Sequence, residues 1–107
     1  MTDGLPPHER RSEPLLDDVG TAIVSARDAT SFLWQVPDDE PTREQLRQAL
    51  VLIRDRSAKR GRREMPSICD ELLTALKASP SPQQVDILHA GFDRLYNLWA
   101  AAKSGLL

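Results

Sequence analysis

The stretch SPQQVDILHAGFDRLYNLWAAA, residues 81–102, decides the fold class of this chain. Its apolar residues recur at alternating steps of three and four, and they are Val85, Leu88, Phe92, Leu95, Trp99 and Ala102. This spacing is typical of a helix that packs nearly parallel to its neighbours along one seam. Ser81 and Gln84 have the spacing of a capping box and Pro82 suits a first helical turn, so a helix is predicted to begin here.

A helix with the same kind of seam is predicted near the N-terminus. Ser12 is a good N-cap, Pro14 fits the first turn, and Pro37 ends the segment. The predicted seam consists of Leu15, Val19, Ala22, Ala26, Ala29 and Leu33, widened by Ile23, Val24 and Phe32. Residues 1–11 carry prolines and charges, so we expect them to form a flexible tail before a single domain of residues 12–107.

Two more amphipathic segments lie between these helices. Thr42 and Gln45 have capping-box spacing after Pro41, and Gly61 is expected to end the second helix. Its predicted inward face is Leu46, Ala49, Leu50, Ile53 and Ser57. The third helix should begin near Met65-Pro66 and bury Met65, Ile68, Leu72, Leu73 and Leu76. With short connections and no strand pattern, the sequence predicts an all-α, antiparallel, up-down-up-down four-helix bundle.

The composition excludes several classes of protein. The chain has 107 residues and a net charge of -2, which is typical of one globular domain and not of a general polyanion binder. Cys69 is the only cysteine, which excludes an internal disulfide and the zinc sites that use paired thiolates. No nucleophile–base pair is evident, so we expect no enzyme activity, metal or cofactor. With no apolar span or signal core in the sequence, we expect a cytoplasmic protein with no membrane partner.

Val51, Arg54, Asp55 and Gly61 follow one another at steps of three, one and six residues. With this spacing, the second and third helical segments resemble the histidine-containing phosphotransfer (HPt) domain of bacterial two-component signalling. That family is a four-helix bundle with an outward histidine in the pattern H-x-x-K-G-x-x-x-x-x-G. Val51, Arg54, Asp55 and Gly61 occupy the four defined positions of this pattern in order. Many members continue with a helix that reads L-x-x-L-C-x-x-L, which Met65, Ile68, Cys69 and Leu72 match without a gap. The similarity covers residues 38–76.

The departures from the family pattern concern its chemistry. Val51 stands where the histidine would carry the phosphoryl group, so the resemblance implies an HPt-like domain whose phosphotransfer is lost. Arg54 replaces the lysine, and Asp55 places a negative charge where the family's glycine makes room for a receiver domain. The leading hypothesis is therefore a non-catalytic adaptor or regulator that binds a signalling protein, which is a receiver domain, a kinase or an effector. The residues predicted to bind it face outward from the second helix, and they are Arg47, Val51, Arg54, Asp55 and Ala58.

Two other hypotheses stay open on the sequence alone. The basic run of residues 54–63 could bind nucleic acid or another polyanion, with Lys59, Arg60, Arg62 and Arg63 as the anion-binding residues. The alternative interpretation of this run is a solvated helix end, whose cations complement the helix dipole. The chain could also be a homo-oligomeric adaptor, since outer apolar residues are available at Val24, Leu52, Ile87 and Leu98. His89 is expected at the boundary of the core, as a solvated or capping residue.

Overall fold

The computed structural model describes the backbone of residues 7–105 and the side chains of residues 18–105. This part of the chain contains four α-helices and no strand, which confirms the all-α prediction. They are α1 (Pro7–Leu33), α2 (Glu40–Lys59), α3 (Glu64–Leu76) and α4 (Pro82–Lys103). α1 and α3 each pack against both α2 and α4. An arrangement in which four helices share one core in this way is compatible with a four-helix bundle.

The first helix begins earlier than the sequence predicts. α1 starts at Pro7 and not near Ser12, so residues 7–11 of the expected tail are helical and Pro14 lies inside the helix. A proline is well tolerated at a first helical position, because its missing N–H would have no partner there. Residues 1–6 of the expected tail lie outside the described residues.

The N-terminal caps of α2 and α4 differ in part from the predicted capping boxes. Asp39, and not Thr42, caps α2, and its carboxylate accepts a hydrogen bond of 3.1 Å from the Thr42 backbone N–H. For α4 the prediction is confirmed at Ser81, whose hydroxyl accepts from the Gln84 backbone N–H at 3.1 Å. The second half of that box is wrong, because the Gln84 side chain is buried and bonded to the end of α3.

Gly61 ends α2 as predicted. Its φ of +78° lies in the left-handed region that favours glycine. The N–H of Gly61 donates to the Ala58 carbonyl and the N–H of Arg62 donates to the Ser57 carbonyl. These two bonds form a Schellman motif, which satisfies carbonyls that the helix end leaves without partners. The turn between α2 and α3 is therefore short and well defined.

The core follows the predicted seams with a few differences. The buried apolar residues are Val19, Ile23, Ala26, Leu33, Leu46, Leu50, Ile53, Met65, Ile68, Cys69, Leu72, Leu76, Val85, Leu88, Phe92 and Leu95. Ala22, Ala29, Ala49, Leu73 and Trp99 pack against them and are partly buried. Val24 and Phe32 are exposed, so the predicted widening of the α1 seam is wrong for both. The side chain of Leu15 lies outside the described residues.

A polar network closes the end of the core where α3 ends. Arg43 is only 5% exposed, and its guanidinium donates to Gln84 Oε1, to the Leu76 carbonyl at 2.8 Å and to the Ala78 carbonyl at 3.3 Å. The amide nitrogen of Gln84 donates to the carbonyls of Ala75 (2.6 Å) and Ala78 (2.8 Å). Side chains from α2 and α4 thus serve carbonyls at and just beyond the last turn of α3, which a helix leaves unpaired.

Candidate functional site

The outward face of α2 is the first candidate site. Here the α2 outer face means Arg47, Val51, Arg54, Asp55 and Ala58. Val51 is 39% exposed, and Asp55 and Ala58 are also exposed, whereas Arg47 and Arg54 are half-buried. Because the opposite side of α2 buries Leu46, Leu50 and Ile53, the 100° step of the helix turns these five residues away from the core. Val51 therefore lies on the solvent side of α2, as its spacing predicts.

The structure divides the α2 outer face into two parts. Three of its members lie in an open groove of about 480 Å³, which is lined by Glu44, Arg47, Gln48, Val51, Leu52, Asp55, Arg56 and Lys59. Ala58 instead lines a second groove together with Pro66, Ser67 and Asp70 of α3. Arg54 also turns toward α3, where it contacts Asp70. A partner centred on Val51 would therefore cover mainly α2, and only its edge would reach α3.

The charges at the N-terminal end of the groove around Val51 are paired within the chain. Arg47 Nε lies 2.9 Å from Glu44 Oε1, and the same guanidinium contacts Glu40. The hydrogen bond to Glu44 raises the pKa of Arg47, and the bond from Arg47, together with one from Gln48, lowers the pKa of Glu44. Both groups therefore keep their charges at neutral pH while largely neutralising each other at the N-terminal end of the groove.

Arg54 is held between two carboxylates. Its Nε lies 3.2 Å from Asp55 Oδ1, and its Nη1 lies 3.3 Å from Asp70 Oδ1. These hydrogen bonds, first that to Asp55 and then that to Asp70, raise the pKa of Arg54. The role of Asp70 is not predicted by the sequence, because nothing in a single sequence pairs a residue of one helix with a position sixteen residues away on the next. The guanidinium of Arg54, which replaces the family's lysine, is therefore already engaged by carboxylates of its own chain.

The turn between α2 and α3 carries cations that have no such partners. Here the basic turn means Lys59, Arg60, Arg62 and Arg63, of which Arg62 is half-buried and the other three are exposed. Within the part of the chain that the structure describes, none of the four forms an ion pair. The basic run thus separates into Arg54 and Arg56, which are paired (Arg56 with Asp18 at 2.8 Å), and the four unpaired cations.

The remaining reactive side chains are placed for structural roles. His89 is half-buried, as expected, with Nδ1 3.6 Å from Asp93 Oδ2. Cys69 is fully buried; burial, assisted by the negative charge of Asp70, raises the pKa of its thiol to about 12. Among residues with described side chains, no group of three or more His, Cys, Asp or Glu residues is placed to hold a metal ion. None of the helices, over their described residues, is both long and apolar enough to cross a membrane.

Comparisons with known proteins give no match from which a function could be transferred to this chain. No family model, no curated protein and no solved structure matches the chain. Any assignment of function therefore depends on the residues themselves, on their exposure and on their electrostatic pairing.

Proposed function

We propose that this chain is a non-catalytic protein-interaction module, an HPt-like bundle without a phosphoacceptor that binds a signalling protein through the α2 outer face. In this proposal the four helices alternate in direction, up-down-up-down, and the protein acts as an adaptor or regulator in two-component signalling. The partner is a receiver domain, a kinase or an effector. The order in which the helices pack, each against the helices adjacent to it in sequence and α4 against α1, supports this topology.

The observation that carries the proposal is the exposure of Val51. An apolar, β-branched side chain is exposed in the lining of a groove, at the position where the resemblance expects the phosphoacceptor. Beside it Arg47 and Glu44 neutralise each other, so a partner can cover Val51 without burying a bare charge at the N-terminal end of the groove. Lys59 lines the other end of this groove and forms no ion pair among the described residues. Covering the exposed part of one valine contributes about 1 kcal/mol, so Val51 is the centre of a wider contact and not a sufficient one.

The same residues explain why phosphotransfer would be absent. The α2 outer face offers no imidazole that could hold a phosphoryl group, and its one carboxylate, Asp55, is bonded to Arg54. Arg54 is engaged by Asp55 and Asp70, so its charge is less available to a phosphoryl oxygen. Asp55 also repels the acidic pocket that receiver domains present at this surface, so a receiver would have to bind in a different orientation.

Binding is tested with paired substitutions on opposite sides of the molecule. Val51→Asp with Arg54→Glu should abolish capture of kinases, receivers or effectors by the immobilised protein, because it replaces the apolar centre and a flanking cation with negative charge. The matched control is Ile87→Asp with Arg94→Glu on α4, which within the described residues is not packed along α2 and meets it through the hydrogen bond between Arg43 and Gln84. Ile87 is 54% exposed and Arg94 forms an exposed pair with Glu71. Equal capture by both variants would contradict the proposed face.

The absence of phosphotransfer has its own test. After incubation with phosphorylated receiver domains or an autophosphorylated kinase, the protein should carry no acid-labile label, while an active phosphotransfer domain in the same assay does. Stable phosphohistidine on this chain would contradict the claim that the chemistry is lost, even if the docking face is correct.

A further inference from the structure

A third groove, which does not include Val51, lies beside the basic turn. It has a volume of about 370 Å³ and is lined by Gly61, Arg62, Arg63, Glu64, Met65, Leu98 and Ala102. Met65 is buried and Leu98 and Ala102 are half-buried, so the floor is apolar. Arg62 and Arg63 line the same groove. The groove thus combines an apolar surface with cations that have no ion-pair partner among the described residues.

The distribution of charge along the chain restricts what this end can bind. Residues 54–63 contain six cations and one carboxylate, a net charge of +5, whereas the whole chain has -2, so the remaining residues carry -7. At physiological salt the electrostatic effect of a charge extends over about 8 Å, which is comparable with the size of the basic turn. A short anionic segment would therefore meet the basic turn alone. A long polyanion would also meet the acidic remainder of the surface and be repelled by it.

The groove also favours a peptide over a nucleic acid. Its floor is built from methionine, leucine and alanine side chains, which complement an aliphatic side chain. The lining contains no aromatic residue on which a base could stack. Glu64 is the one carboxylate among the lining residues, and it repels acidic groups of a ligand, whereas Arg62 and Arg63 attract them.

We infer that the groove beside the basic turn binds a short acidic amphipathic peptide segment of another protein. Its carboxylates pair with Arg62 and Arg63, and an aliphatic side chain rests on Met65 and Leu98. This groove shares no lining residue with the groove around Val51, although Arg62 and Arg63 also line the groove that contains Ala58. Lys59, where the basic turn begins, is eight residues beyond Val51, which corresponds to about 12 Å along the helix.

The test measures the affinity of the full chain for a short fluorescent peptide of alternating acidic and leucine residues by anisotropy. Two reference ligands are the same peptide with Asn and Gln in place of the acids, and a single-stranded oligonucleotide of similar length. The acidic peptide should bind most tightly. Arg62→Glu with Arg63→Glu should weaken it at least about tenfold, because two attractive charges become repulsive. Amide chemical shifts should change at residues 59–67 on titration.

Two variants separate this site from other surfaces. Lys77→Glu makes the same kind of charge change at the far end of α3, about 20 Å away, and should change the affinity less than about twofold. Val51→Asp should also leave it unchanged, so failure of the α2 docking proposal and failure of this one are distinguishable. The inference is overturned by equal binding of the amide peptide, by tighter binding of the oligonucleotide, or by loss of binding in Val51→Asp.

Discussion

Replacing Arg43 with methionine should remove about 3 kcal/mol from the free energy of unfolding. If α3 continued, the carbonyl of Leu76 would accept a hydrogen bond from the N–H of residue 80. Pro80 has no N–H, and Arg43 supplies the donor instead. The substitution leaves this carbonyl and Gln84 Oε1 buried without the guanidinium, while Ala78 keeps its bond from Gln84. Each orphaned acceptor costs about 1–3 kcal/mol, and methionine recovers part of this by apolar packing.

The loss is measured by urea unfolding followed by far-ultraviolet circular dichroism. With a slope of about 1–3 kcal/mol per molar for a domain of this size, the midpoint should fall by at least about 1 M. Arg56→Met is the matched control, since Arg56 is a half-exposed arginine whose pair with Asp18 is open to solvent. Exposed pairs of this kind contribute at most about 1 kcal/mol, so the control should move the midpoint much less.

A double-mutant cycle tests whether Arg43 and Gln84 stabilise the end of α3 together. Arg43→Met and Gln84→Leu remove partners of the same network, so the double variant should cost at least about 1 kcal/mol less than the two single changes added together. Full additivity, or a loss below about 1 kcal/mol for Arg43→Met alone, would refute the view that these side chains act together at the end of α3.

Three further substitutions follow from local geometry. Gly91→Ala should lower the melting temperature although alanine favours helix, because its Cβ would lie 2.4 Å from Leu72 Cδ2; an increase would contradict this close helix approach. Gly61→Ala should cost about 1 kcal/mol in urea unfolding, since its positive φ disfavours a side chain; a neutral result would argue against the Schellman turn. The Cys69 thiol, with its pKa raised to about 12, should resist thiol reagents at pH 8 until urea unfolds the chain. Since the unfolded thiol ionises near pH 8.5, the free energy of unfolding should fall as the pH rises from about 9 to 12, and Cys69→Ala should flatten this part of the curve.

Much of the fold could be predicted because apolar periodicity records which side of a helix is buried. The inward face of α2 and the solvent side of Val51 follow from the same 100° step. The spacing of the α2 seam also indicates the buried position of Arg43, which was not predicted. Arg43 lies three residues before Leu46 and seven before Leu50, so it continues the buried row. A charged residue at a helix start is ordinarily assigned to solvent, and only the carbonyls of another helix show why this one is buried.

The errors in α1 have a related cause. The deeply buried row includes Ile23 and Thr30, whereas two of the alanines in the predicted seam are only partly buried. Thr30 is accommodated because its hydroxyl donates to the Ala26 carbonyl at 2.7 Å. A polar residue that satisfies itself within its own helix is invisible to a search for apolar spacing. Charge pairing between helices, such as Arg54 with Asp70, requires the packed structure for the same reason.

The helices differ in length, and the two ends of the short helix α3 differ in their surroundings. α3 has 13 residues, whereas α2 has 20 and α4 has 22. Where α3 ends, the hydrogen bonds of Arg43 and Gln84 oppose sliding of α2 and α4 along α3. Where α3 begins, Arg62 and Arg63 line a groove together with Leu98 and Ala102 of α4, and long arginine side chains can change rotamer without moving any backbone. New recognition properties can therefore arise at the N-terminal end of α3 through single substitutions, while the hydrogen bonds at its C-terminal end keep the register of the helices.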